Sequence, residues 1–154
     1  MTEAPTLLEP VCHAVDVALP VEDAFALFTG GLARWWPLGS HSCSQDAGAT
    51  VRFGTGVGAA VVEVAPDGAT HPWGTLTRWE PPHAFAMRWH PGQDAALATL
   101  LEVRFEPQGG GCRVSIRHGG WEARGASAAE ARGNYARGWA VVLGCLADAA
   151  AKAG

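Results

Sequence analysis

Hydrophobic and polar positions along the chain change period twice. Val11, His13, Val15, Val17 and Leu19 alternate with Cys12, Ala14, Asp16 and Ala18. Period two is the signature of a half-buried strand. Pro20 ends it and presets the first turn of a helix, where its missing N–H costs nothing. Glu22 and Asp23 suit the positive end of that helix, and Ala24, Phe25, Leu27 and Phe28 give it an apolar side. Gly30-Gly31 closes it. Leu32 to Trp36 predicts a further turn, and Leu38 to Ala49 is small, polar and loop-like. Six strands are then predicted: 50–53, 59–64, 73–79, 85–89, 99–106 and 112–118. Pro66-Asp67-Gly68, Pro81-Pro82, Pro91-Gly92 and Gly109-Gly110-Gly111 supply turns between them. The clearest alternation sets Leu101, Val103 and Phe105 against Glu102, Arg104 and Glu106. Period two does not tell which side of the Trp73–Trp79 strand faces inward.

From Ser127 to Lys152 the period becomes helical. Ala131, Tyr135, Gly138, Trp139, Val142 and Leu146 recur at steps of three and four. Ser127-Ala128-Ala129-Glu130 has the spacing of a capping box. About 25 residues at 1.5 Å each give a helix of roughly 37 Å. A helix of that length needs a broad apolar surface, and the strands before it provide one. Short connections make the six strands an antiparallel meander, dry on one face, with the long helix as its cover. The predicted class is therefore α+β, with residues 10–152 as a single domain and residues 1–9 as a flexible tail.

Composition narrows the function. The chain of 154 residues is 48% hydrophobic and 17% charged, with a formal charge of −4. Its only lysine is Lys152. Phosphate backbones require clustered cations, so nucleic acid is excluded as a partner. No apolar run approaches membrane-spanning length, and Met1 to Pro10 does not read as a signal peptide. A cytoplasmic location, with Cys12, Cys43, Cys112 and Cys145 as free thiols, is expected. Cys12, Cys43 and Cys112 with His13 and His41 are chemically suited to zinc, but no Cys-x-x-Cys pair exists, so no metal site is predicted. No cofactor motif, nucleophile elbow or catalytic triad is present, and no catalytic residue is assigned.

Several segments carry a family resemblance. They are Pro20-Val21-Glu22-Asp23-Ala24-Phe25, Arg34-Trp35-Trp36-Pro37, Trp73-Gly74-Thr75-Leu76 and Trp79-Glu80-Pro81-Pro82-His83. Phe85-Ala86-Met87-Arg88-Trp89, His118-Gly119-Gly120-Trp121 and Gly138-Trp139 complete the set. Together they resemble the START-like (SRPBCC) superfamily. The resemblance is closest to the homologues of the activator of heat-shock-protein-90 ATPase. It implies a helix-grip, Bet v-like fold, with a curved antiparallel sheet of six to seven strands wrapped around the C-terminal helix. It further implies a cavity between sheet and helix, and through the family name a chaperone partner.

Seven tryptophans beside a single tyrosine are unusual. They serve equally to fill a core or to line a cavity for an aromatic ligand. Trp73, Trp89, Tyr135 and Trp139 are the best candidates for a shared interior, with Trp35 and Trp36 at its mouth. Arg78 and His118 are the candidate polar anchors. Glu63 and Arg78 are read as a structural pair within the sheet. Gly138 lies on the helix's apolar stripe, where a glycine leaves room for a ligand. The leading expectation is non-catalytic binding of a small hydrophobic or aromatic molecule by a monomer or homodimer. A cyclase- or hydrolase-like enzyme would need deep polar groups, with His13, Arg78 and His118 as candidates. A co-chaperone-like module would need an exposed docking patch.

Overall fold

The computed structural model describes residues 8–153. The tail expected at residues 1–9 lies mostly outside that range. Seven strands form one antiparallel sheet: β1 (Val11–Val17), β2 (Thr50–Phe53), β3 (Ala60–Val64), β4 (Thr70–Glu80), β5 (Ala84–Trp89), β6 (Thr99–Gln108) and β7 (Gly111–Gly119). Their order is β1-β7-β6-β5-β4-β3-β2. The meander therefore runs unbroken from β2 to β7, and β1 returns to pair with β7. The sheet curls into a half-barrel around α2 (Ala128–Ala153), while α1 (Val21–Phe28) plugs one end. This is the helix-grip architecture.

The alternation in β6 and β7 carries directly into burial. Leu101, Val103, Phe105, Cys112, Val114, Ile116 and His118 all face the core. Helix α1 buries Val21, Ala24, Phe25 and Phe28, spaced to fall on one side. Phe25 meets Phe105 and Trp79 at centroid distances of 5.1 and 5.2 Å, and Phe28 meets Phe85 at 5.5 Å. That end of the half-barrel is filled by rings.

Strand β4 departs from period two. Val61 opposes Gly74 and Val62 opposes Pro72, so Trp73 has no partner on β3. On the other side Leu76 opposes Met87 and Arg78 opposes Ala86, so Thr77 has none on β5. Such bulges insert a residue and re-aim its neighbours. Trp73, Gly74 and Leu76 are consequently all buried. A Cβ at Gly74 would lie 1.9 Å from the Arg88 carbonyl oxygen, so only glycine permits this approach of β4 to β5.

The long helix begins differently from its expected cap. A 3-10 segment, Trp121–Ser127, kinked at non-helical Gly125 (φ 56°, ψ −127°), precedes it, and Ala128 is already helical (φ −58°, ψ −47°). The Ser127 hydroxyl donates to the Arg124 carbonyl at 2.9 Å instead of accepting an orphan N–H. The buried stripe is Ala131, Trp139, Val142, Leu143, Leu146 and Ala150. His13 on β1 fastens the helix to the sheet through Nε2 and the Ala136 carbonyl, 2.9 Å apart. Within the described residues no helix is long and apolar enough to cross a membrane.

Candidate ligand-binding site

At the end of the half-barrel away from α1, a cavity of about 340 Å³ remains between α2, strands β4 and β5, and the 40–43 loop. Its walls are Trp36, Trp73, Trp89, Tyr135, Trp139 and Val142, with Ser42, Cys43, Pro91 and Gly138 between them. Ser40, Gly92 and Asn134 are exposed and mark the rim. The indoles pack edge to face or tilted. Trp36 lies 5.1 Å from Trp73 and 5.7 Å from Trp139, and Trp89 lies 5.6 Å from Trp73.

Three of these four indoles are tied by their N–H groups, which fixes the wall. Trp36 donates to the His41 carbonyl at 2.7 Å, closing the loop over the cavity. Trp73 donates to Glu63 at 3.0 Å, and Trp139 donates to His118 Nδ1 at 3.0 Å. Trp89 Nε1 is buried and has no hydrogen-bond partner among the described residues.

Two buried polar networks stand behind the wall. Glu63 on β3 is fully buried. It accepts from the Cys43 N–H at 2.8 Å, the Ser44 N–H at 3.0 Å, the Ser44 hydroxyl and the Trp73 indole. Burial by itself would raise its carboxyl. The bonds from Ser44, Cys43 and Trp73 together outweigh that and hold it below the ordinary carboxylate value. Burial, and then the charge of Glu63, push the nearby Cys43 thiol up, so it is a neutral wall residue and not a thiolate.

The second network belongs to His118 on β7. Its Nδ1 accepts from Trp139, so Nε2 carries the proton and donates to Thr99 Oγ1 at 2.6 Å. Thr99 in turn donates to the Trp89 carbonyl at 3.2 Å. Both imidazole nitrogens are used. Burial, and secondarily the charge of Arg124, lower the imidazole to about 3.

The expected site residues therefore divide. Trp36, Trp73, Trp89, Tyr135 and Trp139 come together on one cavity. Trp35 is buried one step back, packed between Phe28 and Trp36 at 5.0 and 5.5 Å, with its N–H on the Leu27 carbonyl. His118 is behind the wall, with both ring nitrogens engaged by Thr99 and Trp139. Arg78 is also placed differently from the expectation. The bulge at Thr77 turns it to the outer face, where it pairs with Glu80 and approaches Glu102 at 3.9 Å. The Glu63–Arg78 pair is likewise replaced: Glu63 is held by the loop. The sequence pattern did not single out Ser40, His41, Ser42 and Cys43 as lining groups, or Glu63 as the loop's anchor. The legible signal was the adjacency of Trp35-Trp36 to a polar loop rich in hydrogen-bonding side chains. Gly138 does face the cavity: a Cβ there would meet only His41 Cδ2, at 3.8 Å. Among the described residues no group of three metal-ligating side chains assembles.

The family model for Activator of Hsp90 ATPase homolog 1-like proteins matches residues 18–151. The chain belongs to this family. Its fold recurs in protein MLL2253 from Mesorhizobium loti, at TM-score 0.67 and 18% identity, over 90% of this chain and 94% of that one. It recurs in the Aha1 dimer from Colwellia psychrerythraea, at TM-score 0.65 and 18% identity, over 93% and 96%. A nearer relative in sequence is Txn09, described as an anthrahydroquino-γ-pyrone synthase. It is 34% identical at TM-score 0.57, over 82% of this family member and 86% of Txn09. No curated protein matches the chain.

Proposed function

We propose that this protein binds a small, planar aromatic molecule in the cavity between β4, β5 and α2. The observation that carries the reading is the wall itself. Four indoles and a phenol surround about 340 Å³. That volume lies within the range of about 300–1,000 Å³ usual for small-molecule pockets. Flat ligands gain most from such walls, because ring faces and edges meet them without new ordering of the side chains. Ligand binding without catalysis is the primary reading.

A second reading is ring closure on the bound aromatic molecule. The 34% identity to Txn09, named as a synthase, favours it. His118 and Arg78 do not serve this reading, and His13 is engaged with the Ala136 carbonyl. A chaperone partner, or a homodimer like that of the Colwellia protein, rests on family membership alone.

The test is titration of intrinsic tryptophan fluorescence with a panel of fused-ring aromatics, on the wild type and on Gly138→Trp. Saturable quenching of the wild type, abolished in the variant, supports the cavity as the site. Equal binding by both proteins would place the ligand elsewhere. Mass spectrometry of the recovered ligand separates the two readings, since a carrier returns it unchanged.

A further inference from the structure

We propose that the Tyr135 hydroxyl, backed by the Trp89 indole N–H, is the polar anchor of the cavity. Its ligand is then an uncharged aromatic carbonyl compound, a quinone or aryl ketone. This rests on the aromatic-ligand reading above and adds the chemistry of the ligand to it.

Charge comes first. No Lys, Arg, Asp or Glu lines the cavity, and its one imidazole, His41, is paired at Nδ1 with Ser40 Oγ. A carboxylate or phosphate buried there would be left without a counter-charge, at a large desolvation cost. The ligand is therefore neutral.

Hydrogen-bonding supply comes next. The indoles of Trp36, Trp73 and Trp139 spend their N–H groups on His41, Glu63 and His118. The Ser42 hydroxyl is spent on the Leu38 carbonyl, and His41 Nδ1 pairs with Ser40 Oγ at 2.7 Å. Trp89 is only 6% exposed, and its N–H completes no hydrogen bond among the described residues. A buried donor left so is unusual and costly. Tyr135 lines the same cavity as Trp89. Burial raises its phenol, and the Trp89 N–H partly counters that rise. With ligand bound, the Trp89 N–H donates to the Tyr135 oxygen, and the phenol O–H, directed at the ligand, is strengthened as the second link of a polarised chain. Burial keeps that phenol protonated, so it is a donor. What it wants is an acceptor on the ligand, and a carbonyl oxygen on a flat ring system satisfies both wall and anchor.

The experiment compares two matched probes by calorimetry: anthraquinone and anthracene, each with one hydroxymethyl group for solubility. Wild type should bind the quinone about tenfold more tightly, the worth of one good hydrogen bond. Tyr135→Phe should erase that preference and leave the hydrocarbon's affinity unchanged. A preference that persists in the variant, or none in the wild type, overturns the anchor while leaving the aromatic-ligand reading intact. Binding of neither probe overturns both. Should the Tyr135→Phe variant fail to fold, the wild type still decides, because Tyr135 is the chain's only tyrosine. Ultraviolet titration then reads that one phenol. Bound quinone must raise its pKa, because only the protonated form donates, and an unmoved value refutes the proposal.

Discussion

His118 gives the fold an acid sensitivity that can be isolated. The side chain is fully buried, and its ring lies 4.4 Å from Trp121 and 4.7 Å from Tyr135. Both nitrogens are engaged as a neutral imidazole, by Trp139 and Thr99. In the folded protein it resists protonation down to about 3, against an ordinary value of 6.5. Between those limits the unfolded chain binds a proton that the folded chain refuses. The stabilisation is therefore complete above pH 6.5 and is lost as pH falls from there toward 3. Linkage sets the slope at about 1.4 kcal/mol per pH unit. The perturbation is His118→Gln, which keeps one acceptor and one donor but cannot titrate. At neutral pH the variant should be less stable by about 2 kcal/mol, from lost ring packing. Urea unfolding, followed by circular dichroism from about pH 7 to about pH 4.5, should show the wild type losing its lead below pH 6.5 by about 1.4 kcal/mol per pH unit, meeting the variant at about pH 5 and falling below it. Carboxylates titrating in the same range are common to both proteins and cancel. Parallel curves across the window would mean that the folded state accepts the proton, and the buried, neutral assignment of His118 would fall.

Two further outcomes test the loop and the helix. Glu63→Gln keeps an acceptor for two of the four donors but turns an amide toward the Ser44 N–H, so it should cost about 1–3 kcal/mol. The lowered carboxyl stabilises above the ordinary carboxylate range and loses that contribution in acid, so the gap to wild type, read by thermal unfolding, should shrink as the pH falls. Gly144 is exposed on α2, and a Cβ added there would meet nothing within 4 Å, so Gly144→Ala should stabilise the protein by about 1 kcal/mol, measured by urea midpoint.

Much of the fold was legible because period two and period 3.6 survive in the sequence. β2 coincides with its predicted range, and β6, β7 and α2 differ only at their ends. What failed is local. Strand β4 carries two bulges, and a bulge shifts the phase of every later side chain. Arg78, a candidate polar anchor on a strand whose inner side the period left open, faces out. The capping box at Ser127 presupposed a helix starting from extended chain there, whereas the chain kinks earlier, at Gly125, and is already helical at Ala128. The aromatic half of the site was legible from the tryptophans themselves. The 40–43 loop was not, because its place depends on Glu63, twenty residues later for Cys43, and no periodicity encodes that bond.

The two ends of the half-barrel differ in a way that explains why a cavity persists. Around α1 the interior rings are chiefly phenylalanines, which carry no polar atom and close on one another freely. At the other end the rings are tryptophans, and each tied indole reaches a different element. Trp36 holds its own loop, Trp73 holds β3 through Glu63, and Trp139 holds β7 through His118. For any of them to swing into the empty space, an intramolecular hydrogen bond must break, at about 1 kcal/mol. Collapse is therefore opposed three times over, from three directions. The wall indole not held in this way is Trp89, which shares the cavity wall with the phenol of Tyr135. Rigid walls and an unpartnered wall indole are the features on which the proposed binding of a flat, oxygen-bearing ring rests.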